Sequence, residues 1–460
     1  MNSTVESIPH RPVITTAVQD HAFRRDSLVW VSVCALPAAA LLAAGRLGWA
    51  ANIFWGLLAL MVVWLVVLQK ADMLVATLMG LMPFMNLLRG WGFAFYNTTL
   101  VVLIAGLGFY YLRAPARFRQ TARHYRLAVW LWVMAGGYYV LSVVLTGEYS
   151  KSMRLFELCC GVWYVLLAGR RRLVLGTGLL GVTICACFIG LSMLPHNQSI
   201  GRLGMVVIED EVIGNPVQLG TALALGLLLL TMDRGWWLSG PKGKLWRLAL
   251  FAVTVGLLAL TTSRAAWFMV AAGMAVGVLL GRGQRMQLVI LLATGAGLWL
   301  VLLVTPFGES LQAGLIRTFS SDRTLANRTS GRSDQWLVAY TAVTASPDRM
   351  LWGYGPGKGA SVYARFSERI EGVRYAVGKE IVLHSLFMQV MVEAGLLGLI
   401  VLCGWLVVTF WRIAVWTWRT RRLIPLVGYC SYVVAILTVS GNDTVSGLLL
   451  GLGFLATARR

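Results

Sequence analysis

Apolar residues along this chain form long runs separated by short polar stretches. Fourteen runs can be marked, at residues 28–45, 50–69, 71–88, 98–112, 127–145, 153–169, 173–194, 213–232, 248–263, 265–281, 287–304, 384–411, 423–440 and 444–457. A helix needs about 17–25 apolar residues to cross a bilayer, and the runs at 98–112, 248–263 and 444–457 are shorter than that. The pattern therefore predicts an all-α polytopic membrane protein with 12–14 transmembrane helices.

One long polar stretch, residues 305–383, interrupts this pattern. It carries 10 basic and 7 acidic residues and is too long for a plain connector. We expect it to form a helical cap on the outer side of the membrane. The predicted organisation is then a cytoplasmic tail (1–27), a transmembrane bundle (28–304), the loop or cap (305–383) and C-terminal transmembrane helices (384–460).

Composition agrees with this class, since 58% of the residues are hydrophobic and only 13% are charged. The net charge of +21 does not indicate nucleic-acid binding, because the basic residues flank the apolar runs. With the amino end inside, cytoplasmic stretches carry 24 Lys and Arg, short outer loops carry 6 and the long loop carries the other 10 of the 40. This bias favours both termini inside. No signal-peptide pattern opens the chain, so we expect the amino end to stay in the cytoplasm.

The seven cysteines lie in or beside apolar runs, so neither disulfides nor a thiolate metal site is expected. Glu209, Asp210 and Glu211 could bind a divalent cation, but three adjacent acids cannot all face one point. A solvated loop, or a charge partner for an arginine, is the favoured interpretation of this cluster.

Arg202 and Arg264 lie at the outer ends of apolar runs, where a guanidinium needs a partner. One interpretation is an internal salt bridge to Glu157 or to residues 209–211. The other is an anionic ligand at the outer leaflet, and phosphate matches the guanidinium fork.

Two stretches of the long loop have a distinctive pattern. Residues 331–340 have apolar positions three or four apart, which predicts an amphipathic helix on the membrane surface. Residues 352–359 are glycine-rich and predict a turn whose backbone can approach a ligand, with Lys358 supplying charge. The spacing of a nucleotide-binding Walker loop is absent, so we expect no nucleotide.

His384 marks the border between the long loop and the next apolar run. If a helix continued through it, Gly395 and Gly398 would fall within about 40° of His384 and form a smooth groove. The alternative is a polar helix start followed by small residues for helix packing.

These residues resemble the O-antigen ligase family. Its signature is His, then Asn, Ser or Gln, nine residues, Gly, two residues, and Gly, Thr or Tyr, which His384, Ser385, Gly395 and Gly398 satisfy. Further similarities are Arg264, Arg202 ahead of Gly214-Asn215-Pro216, and the stretch from Gly331-Arg332 through Gly353-Tyr354 to Gly357. The resemblance covers roughly residues 202–398.

The resemblance implies transfer of a glycan from undecaprenyl diphosphate to a sugar hydroxyl of lipid A-core, at the periplasmic face of the bacterial inner membrane, without metal, nucleotide or other cofactor. His384, Arg264 and Arg202 are then the expected catalytic residues, and Ser385, Arg332, Tyr354, Lys358 and Asn215 the expected substrate-binding residues. His384 would accept the acceptor proton and the arginines would hold the diphosphate.

Three alternatives remain at this stage. An O-antigen polymerase would use the same donor with another lipid-linked glycan as acceptor, and a span count above twelve leaves room for it. A transporter of lipid-linked oligosaccharides predicts charges at mid-span positions, whereas the charges here collect at the outer ends. A sensor or scaffold with a periplasmic cap gives no reason for Arg264.

Overall fold

The computed structural model describes residues 13–68, 70–88, 114–124, 171–199, 203–208, 211–232, 241–280, 331–355, 357–420 and 422–437, with single positions at 108, 111, 112, 126, 130, 133, 289, 293, 297 and 312. The apolar runs predicted at 98–112, 127–145, 153–169, 287–304 and 444–457 lie largely or wholly outside this part of the chain.

Described helices coincide with the other predicted runs. They are α1 (Val13–Ala43), α2 (Leu47–Val67), α3 (Ala71–Leu87), α5 (Arg171–Met193), α6 (Pro216–Met232), α7 (Pro241–Thr261), α8 (Arg264–Leu280), α12 (Leu386–Thr420) and α13 (Ile424–Ile436), while α4 (Pro115–His124) is a short polar helix. Helix α1 begins well ahead of residue 28, within the stretch that the pattern assigned to a polar tail.

Five segments among the described residues are long and apolar enough to cross a membrane: Gln19–Ala43, Leu47–Val67, Leu173–His196, Gly243–Thr261 and Leu386–Thr420. The segments Asp72–Leu87, Pro216–Thr231, Arg264–Leu280 and Ile424–Ile436 are shorter apolar helices. The all-α polytopic class is therefore confirmed. In the part of the chain that the structure describes, the strands form one short hairpin of β1 (Val206–Ile208) and β2 (Glu211–Ile213).

Small residues let the bundle helices approach closely. A methyl group added at Gly181 of α5 would lie 2.7 Å from the Cα atom of Gly80 in α3, so the two backbones touch there. Gly190 of α5 likewise contacts Leu257 of α7, and Gly220 of α6 contacts Ser263. Because lipid tails give helices no hydrophobic reason to associate, such close backbone packing supplies the van der Waals attraction that holds the bundle together.

One end of the bundle is tied together by short polar segments. A 3₁₀ helix, Leu194–Ser199, follows α5, and its His196 ring bonds through Nε2 to the carbonyl oxygen of Leu42 at 2.9 Å. The backbone N–H of Leu203 donates to the carbonyl oxygen of Leu260 at 3.0 Å, which holds the segment ahead of β1 against the end of α7. This is also the end at which α8 begins with Arg264.

Residues 331–385, which we call the cap, contain three short helices, α9 (Arg332–Thr344), α10 (Pro347–Trp352) and α11 (Gly359–Ser367). They share a small core with the beginning of α12, formed by Val338, Ala339, Ala342, Val343, Val362, Tyr363, Leu383 and Val392. This core is separate from that of the bundle. The helix predicted in residues 331–340 is present as α9.

Helix α12 is broken at Gly395, where φ is 64° and ψ is −162°. A side chain at Gly395 would collide with the carbonyl oxygen of Leu351, and one at Gly353 (φ 72°) would lie 2.6 Å from the carbonyl carbon of Glu393. The break frees carbonyl groups of α12, and Tyr354 donates its backbone N–H to Val392 at 2.8 Å. The two glycines thus let the cap backbone dock directly onto the broken helix.

The continuous groove predicted from His384 through Gly395 and Gly398 is therefore wrong. His384 precedes the first residue of α12, Leu386, and the backbone at Gly395 is not helical, so the angular relation of 100° per residue does not connect these positions. Gly395 serves a close backbone contact with the cap instead.

Candidate active site

The first turn of α9 fixes the loop that follows α11. Gly331, with φ of 78°, precedes the helix, and any side chain there would overlap the ring of Tyr375. The buried carboxylate of Asp334 accepts the backbone N–H groups of Arg374 at 2.9 Å and Tyr375 at 3.1 Å. A buried carboxylate needs such donors, so Asp334 and this loop depend on each other.

Gln335, the next residue of the same turn, contacts His384 directly. Its side chain is completely buried, and its carboxamide oxygen accepts the backbone N–H of His384 at 2.8 Å. His384 itself is half-buried. The hydrogen bond joins two positions 49 residues apart and fixes the backbone from which the imidazole extends.

Arg332 opens the same turn and lies within electrostatic reach of Arg264. Burial lowers the pKa of the Arg332 guanidinium below its ordinary value, the charge of Arg264 lowers this pKa further, and Tyr375 acts in the opposite direction. Both arginines are half-buried. Two partly buried guanidinium groups whose charges repel each other make this region positive, which favours an anionic ligand.

The turn between α7 and α8 positions Arg264. Thr262 has φ of 47°, a left-handed conformation that is rare for a β-branched residue and costs of order 1–3 kcal/mol. The backbone N–H of Ser263 donates to the Thr261 hydroxyl at 3.3 Å, and buried Ser263 packs on Gly220. This tight turn puts Arg264 at the amino end of α8, where the helix dipole adds partial positive charge.

Asn215 and Arg202 belong to the region ahead of α6. Asn215 is exposed, and its side-chain oxygen accepts the N–H of Val217 at 2.9 Å, so it caps the start of α6. Arg202 lies outside the described residues, as do Glu209 and Asp210. The substrate-binding role of Asn215 and the catalytic role of Arg202 stay predictions.

Tyr354 and Lys358 lie in the glycine-rich turn. The Tyr354 hydroxyl donates to the carbonyl oxygen of Ala342 at 2.8 Å, and the Arg349 guanidinium lies 4.8 Å from its ring centre. The hydrogen bond attaches the turn to α9, and the ring contact attaches it to α10. Lys358 is half-buried, and its backbone N–H approaches the carbonyl oxygen of Gly355 at 3.4 Å. Both stay predicted substrate-binding residues.

Ser385 is 2% exposed, and its carbonyl oxygen accepts the N–H of Gln389 at 2.9 Å in the first turn of α12. Its side chain thus lies within the protein, directly after His384. A role in substrate binding stays a prediction for this residue too.

Sequence reasoning missed Asp334 and Gln335 as functional residues. The available signal was two adjacent polar residues in the first turn of a helix whose next positions are apolar. That signal is weak, because a polar helix start is also the ordinary way to begin a surface helix. The structure differs from the ordinary case in burying both side chains.

The residues that the structure describes contain no group of three or more His, Cys, Asp or Glu able to hold a metal ion. The first turn of α9 instead connects the backbone of His384, through Gln335, with two arginines, Arg332 and Arg264, whose charges interact. Such a set can bind an anion and accept a proton.

Comparison with protein-family models gives a match to the O-antigen ligase family over residues 249–403. The matched region runs from α7 into α12 and includes Arg264, Arg332 and His384, whereas Arg202 and Asn215 lie outside it. No curated protein matches the chain.

The resemblance seen in the sequence is thereby confirmed. Members of this family are glycosyltransferase-like enzymes of lipopolysaccharide synthesis that act in membranes on lipid-linked glycans. The chain is therefore a multi-pass membrane protein in which residues 249–403, about a third of its length, match the O-antigen ligase family.

Proposed function

We propose that this protein is an O-antigen ligase, which transfers a finished glycan from undecaprenyl diphosphate to a sugar hydroxyl of lipid A-core. One observation carries the proposal. In the first turn of α9, Gln335 accepts a hydrogen bond from the backbone of His384, and Arg332 interacts electrostatically with Arg264. Residues three apart on a helix are neighbours, so this turn links a candidate base to a candidate diphosphate site.

The arginines bind the donor in this proposal. Arg264 and Arg332 hold the diphosphate, with Arg202 as a further ligand, and the amino end of α8 adds its dipole. Negative charge on the diphosphate grows as the bond to the anomeric carbon breaks. Fixed positive charges that face this developing charge lower the barrier more than they stabilise the bound donor.

His384 acts as the general base. The acceptor hydroxyl oxygen attacks the anomeric carbon, its proton passes to the imidazole, and the bond from the anomeric carbon to the diphosphate oxygen breaks. Undecaprenyl diphosphate leaves with the bonding electron pair. A single in-line displacement inverts the anomeric centre, and a positioned base contributes about 10²- to 10⁴-fold to the rate.

The other predicted site residues have supporting roles. Lys358 and Tyr354 line the turn beside α9, while Ser385 and Asn215 are further candidates for contacts with the glycan. We place both termini in the cytoplasm and the cap, with the reaction, at the periplasmic face of the inner membrane. The bond energy of the diphosphate-linked donor makes a nucleotide unnecessary in this scheme, and the arginines supply the positive charge that a metal ion would otherwise provide.

Analysis of lipopolysaccharide by gel electrophoresis in a deletion strain tests the proposal. If the protein is a ligase, the deletion strain should accumulate full-length undecaprenyl-linked polymer beside bare lipid A-core. The intact gene should restore lipid A-core that carries the polymer. Core that carries just one repeat unit would instead identify a polymerase. Unchanged lipopolysaccharide would contradict both.

A further inference from the structure

The cap exposes an unusually apolar surface on two adjoining helices. On α9, Trp336, Leu337 and Tyr340 are exposed, while Asp334 and Gln335 of the same helix are buried. On α10 the exposed apolar residues are Met350, Leu351 and Trp352, and Trp352 is 69% exposed. A soluble domain would normally arrange these residues the other way round, so this surface indicates an interaction site.

The contact between α10 and the break in α12 indicates how deep this surface lies relative to the membrane. Leu351 and Gly353 touch Gly395, and the apolar part of α12 beyond the break, residues 396–411, is 16 residues long. At 1.5 Å per residue this part measures about 24 Å, which is most of a hydrocarbon core of about 30 Å, and the long side chain of Arg412 that follows can reach the headgroup zone on the other side. The break, and with it α10, then lies near one edge of the hydrocarbon core.

The exposed surface of α12 continues that of α10. Directly after Gly395, Leu396 and Leu397 are each 41% exposed, and further along Ile400 and Val401 are more exposed still. On a membrane-spanning helix such residues face lipid. The aromatic residues of the cap therefore adjoin a lipid-facing surface at the depth where Trp and Tyr side chains are favoured in membranes.

We propose that the outer faces of α9 and α10 are seated in the headgroup zone of the adjacent membrane leaflet, with Trp336, Tyr340 and Trp352 as anchors. The occupant of this surface is phospholipid of the protein's own membrane. The opposite side of α9 holds His384 through Gln335. The anchors thus set the height of His384 above the hydrocarbon core, where a lipid-linked substrate must present its reactive sugar.

Photo-crosslinking of the full-length protein tests this placement. The photoreactive residue p-benzoylphenylalanine replaces Trp336, Tyr340 or Trp352, one at a time, in liposomes of phosphatidylethanolamine and phosphatidylglycerol with tritiated acyl chains. Replacement of Ile400 on α12 is the positive control. Replacement of Glu371 or Lys379, which are exposed elsewhere on the cap, gives the background. Each variant is first required to match the thermal midpoint of the wild type.

We expect tritium on the protein at the three anchor positions several-fold above the Glu371 and Lys379 background. Labelling no higher than this background at all three positions would overturn the proposal. A crosslink to a second copy of the chain in place of lipid would overturn it as well, because the surface would then be a protein interface.

Discussion

The carboxamide oxygen of Gln335 accepts the backbone N–H of His384 at 2.8 Å, although the two residues lie 49 positions apart. Gln335 is fully buried, and it shares a helical turn with Arg332 and Asp334. One turn of helix therefore orients the candidate base, contributes to the candidate diphosphate site and holds the loop at Tyr375. Changes at Gln335 or Asp334 should therefore affect the chemistry although neither side chain is proposed to contact the reacting atoms.

Replacing Gln335 by Leu removes the acceptor and leaves the His384 N–H without this partner. Loss of such a hydrogen bond costs about 1–3 kcal/mol, which corresponds to roughly a fivefold to hundredfold fall in rate if it is expressed in the transition state. We expect kcat to fall while KM for the lipid-linked donor stays near its original value. Steady-state transfer assays in proteoliposomes measure both.

Two further variants serve as controls for that prediction. Gln335→Glu keeps an acceptor oxygen and should retain more activity than Gln335→Leu. Thr344 lies at the other end of α9, and its hydroxyl donates to the carbonyl oxygens of Tyr340 and Thr341 in the same helix. Thr344→Ala should therefore leave kcat unchanged. Equal activity of Gln335→Leu and wild type would show that the bond to His384 has no catalytic effect.

Lysine in place of Arg332 or Arg264 retains the charge and loses the planar fork that binds phosphate through two parallel hydrogen bonds. Loss of a charge-assisted hydrogen bond of about 1.5–3 kcal/mol predicts a fall in kcat/KM of roughly tenfold to hundredfold. Inorganic pyrophosphate should raise the thermal midpoint of the wild type and raise that of each lysine variant less. Full activity in both variants would indicate arginines with a purely structural role.

Gly395→Ala places a methyl group against the carbonyl oxygen of Leu351 and forces a left-handed backbone on alanine. The conformational cost alone is of order 1–3 kcal/mol, and the steric conflict adds to it. We expect the cap to detach from α12, seen as faster proteolysis within residues 345–385 and loss of transfer. Gly404→Ala is the matched control, because a methyl group there meets nothing within 4 Å.

Tyr363 makes the cap sensitive to alkaline pH. Burial raises the pKa of its hydroxyl to about 12, with Asp334 and Tyr375 adding to the shift, and this hydroxyl donates to the carbonyl oxygen of Tyr375. Because the folded pKa lies above the unfolded value near 10, the stabilisation is fully present below about pH 10 and is lost as pH rises towards 12.

A spectroscopic titration checks this value. The difference in tyrosinate absorbance between the wild type and Tyr363→Phe should have its midpoint near pH 12. A midpoint near 10 would mean that Tyr363 is not protected by the folded cap. The phenylalanine variant should also lose less cap stability between pH 10 and 12.

The membrane class and many helix positions could be predicted from the sequence because uninterrupted apolar runs have few alternatives in a chain of this composition. The break in α12 could not be predicted from the sequence. Residues 384–411 are predicted as one apolar run, and only the approach of Leu351 and Gly353, which are distant in sequence, shows why Gly395 leaves the helix.

The types of residue in the site could be predicted from the sequence, but the contacts between them could not. The signature around His384 and the confined Arg264 pointed to phosphate and proton chemistry. Which face of α9 would be buried was not predictable, because Val338 and Ala342 on one side and Trp336 and Tyr340 on the other are both apolar. In the structure Trp336 and Tyr340 face outward, and Asp334 and Gln335 are buried.

The most direct test of the account is glycan transfer by the purified His384→Ala protein in liposomes that contain undecaprenyl-diphosphate-linked glycan and lipid A-core. His196→Ala is the control, since that histidine binds the end of α1 at the same end of the bundle. The account predicts a fall of about 10²- to 10⁴-fold for His384→Ala, with little change for His196→Ala. Transfer at the wild-type rate by correctly inserted His384→Ala protein would contradict it.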